Sequence, residues 1–186
     1  MSKTVLEEPE GLVYRPDFIR PDEESLVLEL LEGLEFREVR MRGQTAKRTV
    51  RHYGFDYDYE SWDLVPGEPL PQELEWLRER AAQLAGHQPE DLAQALVSRY
   101  PDGAGIGWHR DAPMFGPNVV GVSLLSPCRM RFQRKLRGVR YLHELELEPR
   151  SAYLLSGKAR SAWQHSIPAS KGLRYSITFR TLKRRD

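Results

Sequence analysis

The chain has 186 residues, 40% of them hydrophobic, enough for one domain (residues 1–186) built round a single core. Its formal charge of +1 excludes a general basic field as the means of holding nucleic acid, so any such binding must come from local patches. The lone Cys128 excludes an intrachain disulfide, Met1 to Gly11 is acidic without a signal-peptide core, and no run of about 18 apolar residues occurs, so a cytoplasmic monomer without a membrane span is expected.

In chain order, Leu12-Val13-Tyr14 reads as a docking strand, and Pro21-Asp22-Glu23-Glu24 opens a helix whose buried side is expected from Leu26, Leu28, Leu30 and Leu31. Gly33 stops it. Residues 37–60 mix arginines with aromatics: Arg48 and Arg51, then His52, Tyr53 and Tyr57. Basic groups among aromatics hold phosphates and stack bases, which makes these five candidate substrate contacts in a recognition segment. The alternation Phe55-Asp56-Tyr57-Asp58-Tyr59 is equally that of an edge strand with its aromatics packed inward. Pro66, Pro69 and Pro71 then punctuate a loop, and Leu74, Leu77, Ala81 and Leu84 recur at helical spacing, with Arg78, Glu79 and Arg80 on the exposed side and Gly86 at the end.

From residue 92 to about 183 the chain reads as short strands separated by Pro, Gly or basic turns, the pattern of an antiparallel barrel or sandwich. The expected strands are Ala95 to Tyr100, a metal strand through His109 and Asp111, Val119 to Leu124, Met130 to Gln133, Tyr141 to Leu147, Ala152 to Leu155 and Leu173 to Leu182. Residues 134–140 form a basic hairpin tip, where Arg134 is either a phosphate contact or part of a solvated turn.

His109-Arg110-Asp111 places an imidazole and a carboxylate two residues apart, hence on one side of an extended segment. With a distant histidine they form the 2-His-1-carboxylate set of a facial Fe(II) site, which leaves adjacent positions for a keto acid and dioxygen. His165 is preferred as the third ligand because it follows a basic loop and precedes an arginine-bearing strand; His143, in an alternating strand, competes, and His52 is a weaker rival. In that strand Arg174 and Arg180 share a face, while Tyr175, Ile177 and Phe179 make an apolar opposite face. Two inward arginines require an anion, and a dicarboxylate fits because guanidinium holds carboxylate in a bidentate fork.

Together, Arg99-Tyr100, His109-Arg110-Asp111, His165 and the run from Arg174 to Arg180 resemble the AlkB family of Fe(II)/2-oxoglutarate dioxygenases over roughly the last half of the chain. The resemblance implies a mainly β fold with flanking helices, a double-stranded β-helix or jelly-roll core with N-terminal helices and a substrate lid. It implies iron on His109, Asp111 and His165, and 2-oxoglutarate held by Tyr100, Arg174 and Arg180 with Ser98 and Ser176, which stand where the family usually has asparagine. Residues 37–60 would be the lid, with Arg110 beside the metal also facing substrate. The implied activity is oxidative demethylation of alkylated bases in DNA or RNA, single-stranded or flipped, as a repair reaction using O2. Ala112-Pro113-Met114-Phe115 follows Asp111 where the DNA-repair members carry an acidic residue that reads the base. The alternative is a hydroxylase or demethylase of a protein side chain or small molecule at the same iron.

Overall fold

Period-two alternation becomes strand pairing throughout the second half of the chain, and the helices are confined to one side of it. The computed structural model describes residues 4–41, 43–57 and 63–183, with only the backbone of Met41 and Tyr57. The strands are β1 (Thr4–Leu6), β2 (Leu12–Arg15), β3 (Arg37–Met41), β4 (Gln44–Tyr53), β5 (Phe55–Tyr57), β6 (Leu64–Pro66), β7 (Gln94–Tyr100) and β8 (Ile106–His109). They continue with β9 (Phe115–Leu124), β10 (Cys128–Leu136), β11 (Val139–Leu147), β12 (Ala152–Leu155), β13 (Gln164–Ile167) and β14 (Arg174–Leu182). The α-helices are α1 (Pro21–Glu32), α2 (Glu75–Ala85) and the short α3 (Gly157–Ser161). None of the described helices is long and apolar enough to cross a membrane.

A seven-stranded sheet runs β2-β12-β9-β14-β7-β4-β3 and a five-stranded sheet runs β1-β11-β10-β13-β8. They face one another as a double-stranded β-helix, sharing a core in which Val119, Tyr153 and Leu155 meet Met130, Phe132, Trp163 and Ile167. The larger sheet's other face carries Tyr53, Val97, Val122, Tyr175, Ile177 and Phe179 and is packed against Val27 and Leu31 of α1 and Leu77 and Ala81 of α2. β14 is central: Tyr175, Ile177 and Phe179 belong to the helix side, while Arg174, Ser176, Thr178 and Arg180 line the space between the sheets. The split is strand geometry, since successive side chains point to opposite faces.

Several expectations need correction. Helix α1 buries Glu23, Val27 and Leu31, an i, i+4, i+8 stripe, while Leu26 is 68% exposed and Leu28 and Leu30 are half-buried. Leu26, Leu28 and Leu30 lie to either side of the stripe that meets the sheet, and Leu31 is in it. Arg80 is half-buried: its Nη1 and Nη2 donate to the Glu23 carboxylate at 2.8 and 2.9 Å, and Nη1 also reaches the Phe18 carbonyl at 3.2 Å. The metal strand stops at His109, so Asp111 stands in the following loop. The recognition segment is built into the larger sheet, β4 pairing with both β3 and β7.

The Glu23–Arg80 pair ties α1 to α2 and gives a stability test. Its hydrogen bond from Arg80, opposed by burial, brings the Glu23 carboxyl down from 4.5 to about 2. A depressed carboxylate stabilises the fold above its unfolded value, and the contribution is lost as pH falls from about 4.5 towards about 2. Arg80→Ala is expected to cost about 1–2 kcal/mol at neutral pH, roughly 3–6 °C in Tm, with the difference from wild type shrinking in acid. Thermal melts at pH 7 and pH 3 measure it.

Candidate active site

Strand pairing assembles the three candidate metal donors from separate parts of the chain. β8 and β13 set His109 directly opposite His165, their ring centroids 4.3 Å apart. His109 Nδ1 donates to the Gly107 carbonyl at 2.8 Å, which leaves Nε2 with the lone pair. His165 Nε2 lies 3.7 Å from Asp111 Oδ2, and Asp111 Oδ1 accepts from Arg180 Nε at 2.9 Å and Nη2 at 2.8 Å. His143 is held apart, because β10 puts Phe132 between it and His165 in the same cross-strand row. His52 faces elsewhere: its Nδ1 accepts from Gln94 Nε2 at 3.2 Å, and Gln94 Oε1 accepts from Arg180 Nη1 at 3.3 Å.

The electrostatics prepare these donors for a cation. Burial, helped by nearby arginines, lowers His109, and burial, helped by His109 and nearby arginines, brings His165 down to about 3, so both are neutral imidazoles at pH 7. Burial alone would raise Asp111, but Arg180 and the two histidines outweigh it and hold the carboxyl well below its usual range. Metal ligands must be deprotonated, and all three are. Among the described residues no three His, Cys, Asp or Glu groups stand, as placed, where together they could hold a metal ion. The chemistry of the donor set nevertheless fits Fe(II): two neutral imidazoles and one carboxylate line the same cavity.

The inward face of β14 supplies the cosubstrate end. Arg174 stands opposite Tyr100, Ser176 opposite both Ser98 and Ser123, and Arg180 opposite Gln94. Arg174 is 1% exposed; Nε donates to Ser123 Oγ at 3.1 Å, and its guanidinium lies 5.1 Å over the Tyr100 ring. Among the described residues its buried Nη1 has no hydrogen-bond partner. A charged donor left so is costly, and a carboxylate would answer it. The residues therefore fit 2-oxoglutarate, a carboxylate of which Arg174 would hold.

Two parts of the site had no local signal in the sequence. Tyr153 is buried and lines the cavity, and it crosses the strand at Gly121, where a Cβ would come within 2.2 Å of its ring. A glycine inside an apolar strand was the available clue. The second is Arg160 of α3, which donates to the carbonyls of Asp111, Ala112, Phe115 and Gly116 at 3.1–3.2 Å and so fixes the loop that carries Asp111. Arg160→Ala is expected to weaken iron binding by roughly 10–100-fold, as losses behind a metal ligand commonly do, with 2-oxoglutarate contacts left in place. Metal titration followed by calorimetry checks it.

The candidate substrate residues divide by strand face. Arg48 is 6% exposed and lines the cavity, and Arg110 is exposed at its rim, donating to the Ser161 carbonyl at 3.0 Å. Arg51 shares the opposite face with Tyr53, pairs with Glu68 and borders a separate groove, while Tyr53 is buried in the helix-side core. Neither they nor buried His52 line the metal cavity. The Tyr57 side chain lies outside the described residues. Arg134 is also distant from the cavity: it pairs with Glu7 at 2.8 Å and sits between the rings of Tyr141 and Trp163. β4 points alternate residues to opposite sides, so a contiguous basic-aromatic run cannot act as one surface.

A family model described as the 2OG-Fe(II) oxygenase superfamily matches residues 11–180. The chain belongs to that superfamily. It is an AlkB-like dioxygenase, using Fe(II), 2-oxoglutarate and O2. An "Alkylated DNA repair protein ALKBH8 homolog" of Arabidopsis thaliana is 31% identical over 185 residues, covering 87% of this chain and 51% of that protein. The chain thus spans about half the length of this relative. "Alpha-ketoglutarate-dependent dioxygenase alkB homolog 7, mitochondrial" of Bos taurus is 31% identical over 168 residues, covering 85% of this chain and 67% of that protein. The solved structure of OsALKBH1 superposes with a TM-score of 0.72 at 17% identity, covering 94% of this oxygenase and 98% of that chain, a likeness of fold.

Proposed function

We propose that this oxygenase demethylates alkylated nucleobases in DNA or RNA. The observation that carries the reading is one cavity of about 420 Å³ lined by the metal donors, the cosubstrate arginine, Trp108, Arg110 and Arg48 together. Such a volume suits a small cosubstrate together with one planar group. The bound iron, with 2-oxoglutarate and dioxygen, supplies hydroxylation of the N-alkyl carbon, from which formaldehyde leaves as the base is restored; 2-oxoglutarate leaves as succinate and carbon dioxide. His109, Asp111 and His165 hold the metal, Arg174 and Tyr100 orient the cosubstrate, and Arg180 fixes one oxygen of Asp111. The apolar side of the cavity, with Leu96, Met130 and Ile167, keeps bulk water from the reacting end. The relative named for alkylated DNA repair supports this substrate class.

A second reading, oxidation of a protein side chain or small molecule, is favoured by one observation: of the six candidate substrate residues whose side chains are described, only Arg48 and Arg110 line the cavity. Succinate release measured across methylated DNA, methylated RNA and methylated peptide pools decides between them. Turnover confined to the nucleic acids supports the first reading, and turnover confined to peptides sinks it.

A further inference from the structure

Among the described residues Arg48 is a cavity cation that the iron and cosubstrate site leaves without a counterpart. It occupies an inward position of β4 beside the small apolar cluster of Val39, Val50 and Leu96, and at 6% exposure it lines the cavity. Among the described residues neither a hydrogen bond nor an ion pair reaches it, whereas Arg180 has Asp111 and Gln94, and Arg174 has Ser123 and Tyr100. Asp111 is the single carboxylate among the described lining residues, against Arg48, Arg110, Arg174 and Arg180. The two carboxylates of 2-oxoglutarate neutralise Arg174 and add to Asp111 around Arg180 and the metal, and the divalent ion returns two positive charges. The loaded cavity therefore keeps an excess of positive charge at Arg48, and a desolvated guanidinium without an anion is strongly disfavoured.

We propose that Arg48 receives an anionic group, a carboxylate or a phosphate, that the substrate nucleotide itself carries into the cavity. The proposal rests on the nucleobase reading above and narrows it: the preferred substrate bears a negative charge on its modified base or on its own sugar.

The test uses the full chain with Mn(II) in place of iron and saturating 2-oxoglutarate, so that binding is read without turnover. Calorimetry measures uridine, adenosine, their monophosphates and carboxymethyluridine against wild type, Arg48→Gln and Arg48→Lys. At least one anionic probe should bind about tenfold or more tightly than its neutral parent, and Arg48→Gln should level the two while Arg48→Lys keeps most of the preference. A preference for the monophosphates assigns the charge to the sugar, and one for carboxymethyluridine assigns it to the base. The 2-oxoglutarate affinity of each variant, unchanged, shows that the fold and the cosubstrate site are intact. A preference surviving in Arg48→Gln, equal binding of charged and neutral probes, or a loss confined to 2-oxoglutarate overturns the proposal. If methylated strands still yield succinate while no anionic probe is preferred, the nucleobase reading stands and this one falls. If nucleosides do not bind and succinate comes only from peptides, both fall.

Discussion

Replacing Arg174 with alanine is expected to raise the 2-oxoglutarate concentration needed for half-maximal turnover by about 100-fold or more, with iron binding nearly unchanged. The guanidinium is 1% exposed, held by Ser123 and stacked on Tyr100, and its free Nη1 has the position and charge to bind a carboxylate. Removing one side of a desolvated, charge-assisted pair typically costs about 2–5 kcal/mol, and each 1.4 kcal/mol is roughly a factor of ten. Succinate formation against 2-oxoglutarate concentration, with iron content measured on the same preparations, tests this. An unchanged 2-oxoglutarate requirement would exclude Arg174 from cosubstrate binding.

The double variant Asp111→Ala, His165→Ala is expected to abolish stoichiometric iron binding, where the wild-type protein holds about one ion per chain. It leaves His109 as the last of the three donors and also strips Arg180 of its carboxylate at 2.8 Å. Some loss of stability should accompany the loss of metal, because Arg180 is buried and loses the carboxylate that pairs with it. Thermal unfolding of the same samples separates the two effects. Stoichiometric iron in a folded double variant would rule out this ligand set.

The barrel was legible because strand periodicity is local: Arg174, Ser176 and Arg180 alternate visibly with Tyr175, Ile177 and Phe179, and the paired strands carry that alternation into space unchanged. The opposition of His109 and His165 was less so, since nothing near either residue says that β13 lies beside β8 and that Phe132 screens His143. Choosing between Arg48 and Arg51 required the register of β4 on β7, where Val50 pairs with Ser98 and Arg51 with Val97. Before that register is known, both are simply basic residues in a basic segment. Arg160 was invisible for a different reason. It works by reaching four main-chain carbonyls some 45 residues earlier in the chain, and main-chain acceptors leave no mark in a sequence.

The two faces of β14 have a consequence for how the strand tolerates change. A substitution at an odd-numbered position between 174 and 180 disturbs the packing under α1 and α2, while one at an even-numbered position disturbs the cavity. A deep mutational scan should therefore sort by parity: abundance falls at Tyr175, Ile177 and Phe179, and specific activity falls at Arg174, Ser176 and Arg180. Insertion or deletion of one residue has no such separation. It turns the guanidinium groups into the helix-side core and the aromatic rings into the cavity, so folding and chemistry fail in the same step.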